Sequence, residues 1–323
     1  RRAPARYPAA LPLRVVVVTT SFPRAPGDPS GHFVASEAEA LRQRGHEVVV
    51  LAPGPAAPGG GSPPGSSGGP GHLRVEPLGG GEAFGWPGVG PRLREAPWRG
   101  VAAGAFLARA RSALLRHERD HGVDAIVAHW ALPCGWPVAL PSAAPLTLVS
   151  HGADVRLLLA LPAPVRAAVV KRLAARAVRW RFVAVRLRDR LLAALPGPLA
   201  GVVEAMARVE PSPLAWPELA PPPRGEASRT YVVAGRLVAS KRIDEALHHV
   251  ARKYAGRAPP RVLVLGDGPE RRRLEAVAQQ TRLDVRFLGL VPRAEALGWI
   301  ATADALLFAA RRDEEGEPTV LRE

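Results

Sequence analysis

Cysteine is the scarcest chemistry in this chain. Cys134 is the only one among 323 residues, which excludes an intrachain disulfide and any multi-cysteine metal site and fits a reducing, cytoplasmic setting. Aromatic residues make up 5% of the chain. They do not interleave with the basic residues and no nucleic-acid-binding module is recognisable, so no nucleic-acid partner is expected. No apolar run approaches the roughly 20 residues needed to span a bilayer, so any membrane contact must be peripheral. The opening "RRAPARYPAALPLRVVVVTT" sets arginines before an apolar run, as a secretory leader would. That run is short and no A-x-A-like site follows, so it reads as a disordered lead into a first strand. Lysine is almost missing too, with Lys171, Lys241 and Lys253 alone beside many arginines. The heavy use of Arg, Ala, Gly and Pro matches the codon bias of a GC-rich genome. The net charge of +15 therefore has two readings, a surface for an anionic membrane or simply a solvated basic exterior.

What the chain does have is an α/β alternation repeated twice. Hydrophobic residues at 47% and charged residues at 23% are ordinary globular values, and the length predicts two domains. Leu13 to Thr19 is a β-branched run suited to a strand buried on both faces. "VASEAEALRQRG" sets Val34, Ala38 and Leu41 on one helical stripe that ends at Gly45, and "HEVVVLAP" follows as a second strand. Residues 53 to 71 are too rich in Gly, Pro and Ser to offset their own ordering and read as a mobile loop. Further strands are predicted at Leu73 to Leu78, Asp124 to His129, Leu146 to Ser150, Phe182 to Val185 and Gly201 to Val203. The aperiodic, Pro-rich stretch from 210 to 228 marks the boundary between domains. "TYVVAGRL", "RVLVLGDG", "VRFLGL" and "DALLFAA" then read as strands that alternate with helices. The prediction is a pair of Rossmann-like doubly wound domains facing a cleft, residues 1–212 and 229–323, joined by a linker at 213–228.

Five places could carry chemistry, each with a plain structural alternative. In "VAGRLVASKRID", Gly235 permits a tight turn and Arg236 and Lys241 are cations on the turn and helix start beyond it, a set suited to a diphosphate. They could equally be surface charges. "SHGADV" puts His151 and Asp154 just past a buried strand, where open sheets collect ligand contacts, or makes His151 a turn residue and Asp154 a helix N-cap. Gly31 before His32 would allow a ligand close to the backbone, or merely form a turn. "LGDGPE" lacks the G-x-G-x-x-G spacing, so a turn leading into a helix at Pro269 accounts for Asp267. In "EEGEPTVLRE", Glu315 falls in a loop and Glu323 on a helix begun at Pro318. Carboxylates so placed accept hydrogen bonds from sugar or ribose hydroxyls, although the spacing alone is weak.

In order along the chain, the Gly31 loop, "HGADV", "GRLVASKRID", "LGDGPERRRLE", "VRFLGLV" and the E-x7-E element "EGEPTVLRE" resemble the retaining GT-B glycosyltransferases of family 4. The resemblance implies transfer of a sugar, with retention at the anomeric carbon, from a UDP- or GDP-linked donor. The acceptor would be lipid-linked, an envelope polysaccharide or a small molecule. Residue by residue, it implies that Arg236 and Lys241 bind the donor diphosphate and that Glu323 holds the ribose. Glu315 would contact the transferred sugar, His151 would lie at the reacting centre, and Gly31 would line the cleft. It also implies independence of metal and of any cofactor beyond the donor substrate. Front-face attack is the expected route, with the leaving phosphate helping to deprotonate the acceptor. The basic helices "GVAAGAFLARARSALLRHER" and "PVRAAVVKRLAARAVRW" add an anionic membrane surface as a partner, at the inner face of the cell membrane. Members of that family continue past the second glutamate, so a C-terminally truncated second domain is expected, with a non-catalytic sugar-nucleotide-binding remnant as the alternative function.

Overall fold

The computed structural model describes residues 11–25, 28, 30–55, 71–85, 88–219, 229–310 and 318–322. The first sheet begins with β1 (Arg14–Val18), a run of valines whose stiff branched side chains suit a pleated surface. It is followed by α1 (His32–Gln43), β2 (Glu47–Gly54) and β3 (Leu73–Gly80). Helices α2 (Val89–Glu95) and α3 (Arg99–His121) lead into β4 (Ala125–His129), and an irregular helical segment at Ala131–Ala139 precedes β5 (Leu146–Ser150). Then come α4 (Ala153–Ala160), α5 (Ala163–Arg176), β6 (Ala177–Phe182), α6 (Val185–Ala193), α7 (Gly197–Met206) and β7 (Ala207–Val209). The seven strands are all parallel, in the order β3-β2-β1-β4-β5-β6-β7.

Period-two alternation along β1 builds two cores from one strand. Val16 and Val18 join Phe106 and Leu114 of α3 on one face, while Val15 and Val17 join Val34 and Ala38 of α1 on the other. Burial of this kind contributes about 1.5–3 kcal/mol for each large apolar side chain. The second sheet repeats the plan with β8 (Thr230–Ala234), α8 (Ile243–Lys253), β9 (Arg261–Leu265), α9 (Arg271–Thr281), β10 (Val285–Gly289), α10 (Arg293–Thr302) and β11 (Ala305–Leu306). Its order is β10-β9-β8-β11, again parallel. Val233, Val262 and Val264 pack with Leu247, Leu274 and Val277 on one face. Val232, Leu263 and Leu265 pack with Trp299 and Ile300 on the other.

Two predicted strands are corrected. Gly201 to Val203 lies inside α7, because Pro198 in the first turn and the helix-forming Ala200, Ala205 and Met206 outweigh the Val202–Val203 pair. The strand expected at 182–185 is β6, ending at Phe182, and Val185 already starts α6. Pro53 and Gly54 belong to β2 rather than to a loop, and residues 56–70 lie outside the described residues. Pro269 sits in a turn before α9, whose cap is Glu270. Neither basic helix is a spare amphipathic surface. Phe106, Ala110, Ala113 and Leu114 of α3 and Val169, Val170, Leu173 and Ala174 of α5 are buried in the first core. Among the described residues no helix is long and apolar enough to cross a membrane.

The segment from 210 to 219 is irregular and runs between the sheets. The Ala215 N–H donates to Ser36 Oγ of α1 at 3.0 Å. Arg293 of α10 donates to the Ala215 carbonyl at 2.5 Å, and Arg322 donates to the Ser212 carbonyl at 2.7 Å. One strip of backbone is thus held by side chains from both halves of the chain.

Candidate active site

In each sheet the strand order reverses once, between β1 and β4 and between β8 and β11. A reversal leaves a crevice beyond the carboxyl ends of the strands, where open α/β sheets bind ligands. The first-sheet candidates cluster there. Gly31 caps α1 with φ of 66°, and a Cβ at that position would run into the Ser21 carbonyl. Only glycine lets the β1 loop fold so closely onto the start of α1. That fold brings the first turn of α1 to the end of β5, where the rings of Phe33 and His151 lie 4.8 Å apart. Trp130, following β4, approaches His151 equally closely at 4.8 Å.

His151 is partly exposed and follows Ser150, the last residue of β5. Its position depends on Asp154, which is fully buried in the first turn of α4. Asp154 is not the helix N-cap, which is Gly152. Instead, Asp154 Oδ1 accepts the N–H groups of His151 and Gly152, each at 3.1 Å, while Oδ2 accepts the Ala131 N–H at 2.9 Å. Burial pushes the pKa of this carboxyl up, opposed by the Ser150 hydroxyl and these backbone donors. Ser150 Oγ in turn accepts from the indole of buried Trp180 at 3.0 Å. One carboxyl thereby ties the loops after β4 and β5 together.

Behind His151 is a polar group that the sequence reading missed. His129, fully buried at the end of β4, meets His151 through Nδ1 and Nε2 at 2.9 Å, with the two ring planes 15° apart. Its Nε2 faces Glu37 Oε2 of α1 at 3.9 Å, and Arg181 of β6 pairs with the same oxygen. Burial and the Arg181 charge push the His129 pKa down to about 3. Burial, then His129, hold His151 well below the usual imidazole range. Both rings are therefore neutral near pH 7. The signal for Glu37 was present, because it falls on the same stripe as Val34, Ala38 and Leu41. For Arg181, position 181 simply alternates with Trp180 and Phe182, and nothing local marks it.

In the second sheet, Gly235 ends the run from β8 with φ of 148°, and a Cβ there would meet nothing within 4 Å. The space beside it is open. Lys241 closes a short helical turn before α8, and its ammonium lies 5.6 Å from the centre of the Phe308 ring, just past β11. Gly235, Arg236, Lys241 and Phe308 line one small concavity at the strand reversal. Arg236 also reaches the other half of the molecule, since a Cβ on Gly88 would lie 2.8 Å from its Nη1. Asp267 has a turn role, accepting the Gly268 N–H at 2.7 Å and pairing with Arg271 at 3.3 Å. Glu315 and Glu323 lie outside the described residues. Among the described residues no three His, Cys, Asp or Glu side chains come together as a metal site.

Comparison with known proteins agrees with this architecture. The first half resembles solved GT-B structures in company with the second. HepE from Anabaena, solved with UDP and glucose, is 15% identical with a TM-score of 0.58, the match covering 95% of this chain and 77% of that one. The catalytic domain of starch synthase IV from Arabidopsis thaliana, solved with ADP and acarbose, is 16% identical with a TM-score of 0.60, covering 91% and 78%. WaaG, a glycosyltransferase of lipopolysaccharide biosynthesis, is 15% identical with a TM-score of 0.55, covering 95% and 77%. None of the curated proteins compared with the chain matches its sequence. Two family models do: residues 30–206 match the glycosyl transferase 4-like domain and residues 218–323 match glycosyl transferases group 1. The first model alone takes in more than half of the chain, which therefore belongs to the glycosyl transferase 4-like family and is a GT-B glycosyltransferase.

Proposed function

We propose that this glycosyltransferase uses a nucleotide diphosphate sugar, UDP- or GDP-linked, and retains the anomeric configuration. Residues 1–212 would form the acceptor side and 229–323 the donor side. The observation that carries the reading is the concavity at the reversal of the second sheet, where open space beside Gly235 adjoins Arg236 and Lys241. Departure of a diphosphate builds charge on its oxygens, and preorganised cations are the groups that stabilise it. Gly31 would keep the facing wall close, and His151 would meet the transferred sugar. Glu315 and Glu323 would accept the sugar and ribose hydroxyls. No cofactor or metal is proposed beyond the donor itself. HepE, solved in complex with UDP-glucose, supports the donor class by analogy of fold.

Calorimetric titration with UDP, GDP and ADP tests the donor site. The expected result is saturable binding of one nucleotide diphosphate that weakens about tenfold or more in Lys241→Ala, a loss of roughly 1.4 kcal/mol. Equal affinity in the variant would refute the assignment of Lys241. Donor hydrolysis and transfer, with the product anomer read by NMR, test the chemistry; binding without either would favour the non-catalytic remnant. The acceptor is proposed as lipid-linked, an envelope polysaccharide or a small molecule. For a lipid-linked acceptor the enzyme would work from the cytoplasm on the inner membrane face. Exposed Trp98 and Val101 at the start of α3 support this, being apolar side chains of the kind that sit at a lipid interface. Co-sedimentation with anionic but not neutral vesicles is expected; no preference would remove the membrane element.

A further inference from the structure

We infer that Glu37, Arg181 and His129 form a buried positioning relay that holds His151 as its Nε2–H tautomer and leaves Nδ1 as an acceptor for the cleft. The inference rests on the reading of His151 as a cleft residue given above. The geometry allows two proton arrangements along the row. The contact between His129 Nδ1 and His151 Nε2, at 2.9 Å, needs one proton and one lone pair. What faces His129 Nε2 decides which ring supplies the proton. That atom is buried and has no hydrogen-bond partner among the described residues, and the group before it is Glu37 Oε2 at 3.9 Å. Arg181 pairs with this carboxylate oxygen. A lone pair on His129 Nε2 would point at negative charge, whereas an N–H would be attracted to it. The proton therefore belongs on His129 Nε2, and its Nδ1 is the acceptor. His151 Nε2 must then be the donor, and its Nδ1 carries no proton.

The relay draws its members from four elements: Glu37 from α1, His129 from β4, His151 from the end of β5 and Arg181 from β6. An imidazole whose second nitrogen is held by a fixed partner has its tautomer and ring orientation set by that partner. A neutral ring with a bare Nδ1 can accept a hydrogen bond from a hydroxyl but cannot donate one there. The site would thus reward a donor or acceptor hydroxyl and reject a carbonyl at that point. Glu37, Arg181 and His129 touch no substrate in this scheme and act only through His151.

Two-bond 1H–15N correlation spectra of the full chain labelled with 15N-histidine test the relay. His151→Gln assigns the relevant signals. Wild type near pH 7.5 is expected to show His151 protonated on Nε2 and bare on Nδ1, with a 15N–15N coupling that establishes the hydrogen bond to His129 and a one-bond 1H–15N coupling on His151 Nε2 that marks it as the donor. Finding His129 Nδ1 as the donor would overturn the proposal without any variant. In Glu37→Gln, Arg181 selects the amide oxygen, which keeps the place of Oε2 before His129 Nε2 without its full negative charge, so the His151 Nε2–H tautomer should lose population and its two 15N shifts should move towards each other. An unchanged His151 spectrum in that variant would also overturn it. Where turnover is measured, Glu37→Gln should lower kcat at least about tenfold while donor KM stays within about threefold. A parallel loss in both would indicate a merely structural role. The tautomer is readable whether or not the chain turns over, and nucleotide binding to wild type judges the donor site separately. Failure of one reading is therefore distinguishable from failure of the other.

Discussion

At the scale of single residues the most consequential group is His129, a fully buried imidazole whose folded-state pKa is depressed from 6.5 to about 3. A depressed histidine is neutral in the folded state over a range where the unfolded chain takes up a proton. Between pH 6.5 and about 3 the unfolded state thus binds more protons, and stability falls as the pH falls. At pH 5 the loss from His129 alone is about 2 kcal/mol relative to pH 8, from the 1.36 kcal/mol per unit that links pKa to free energy. The groups that face it are Glu37, Arg181 and His151. His151, depressed in the same direction, adds to the loss. Glu76 is lowered by its hydrogen bond to His117, and its contribution is present above its unfolded pKa and lost only at lower pH. Urea titrations at pH 8 and pH 5 should show the drop, and His129→Phe should flatten it. A variant as acid-sensitive as wild type would mean that another group carries the effect.

At the scale of elements, the contact between the β1 loop and α1 depends on Gly31, whose φ of 66° and proximity to Ser21 leave no room for a side chain. Gly31→Ala should destabilise the protein by about 2 kcal/mol, since the left-handed backbone alone costs an L-residue roughly 1–2 kcal/mol. Because α1 carries Phe33 and Glu37 to His151 and its partners, the change should also broaden the His151 signals. A midpoint unchanged in urea would show that the loop yields cheaply. Gly31 is a case where sequence order pointed to a position but not to its reason. The strands were legible because valine and leucine runs such as Val15–Val18 and Val262–Leu265 are buried on both faces and need no partner to be recognised. Gly201 to Val203 was misread because two valines resemble a strand until the proline before them is weighed. Gly235, Arg236, Lys241 and His151 were legible because they sit just beyond buried strands, in short loops. His129 and Arg181 were not, because each ends or interrupts an ordinary apolar strand and gains meaning only from the neighbouring strand. Glu37 lay on the readable stripe of α1, but its pairing was hidden, since its partner Arg181 lies 144 residues away.

At the scale of the whole molecule, the two sheets have separate cores. The clusters that flank the first sheet share no residue with those that flank the second. The difference in size is large. Among the described residues, Leu237 is the one member of the largest fully buried side chains in the second half, while Trp180, Phe106, Phe182 and eight others belong to the first. Fewer buried apolar groups and a two-residue edge strand in β11 predict a weaker second half. Among the described residues the side-chain hydrogen bonds from the second half to the 210–219 backbone come from Arg293 and Arg322. Such contacts contribute about 0.5–1.5 kcal/mol each, too little to fuse two cores into one cooperative unit. Calorimetry should therefore show two transitions, the lower one from the second sheet. A nucleotide diphosphate at 100 times its Kd should stabilise that lower transition by about 2.7 kcal/mol and move the upper one much less. Hydrogen exchange assigns the transitions, with protection by nucleotide expected at Gly235, Arg236 and the first turn of α8. A single transition would mean that the linker strip couples the sheets more tightly than its contacts imply. Protection confined to the loops after β4 and β5 would move the donor site to the first sheet, leaving Arg236 and Lys241 without a role in it.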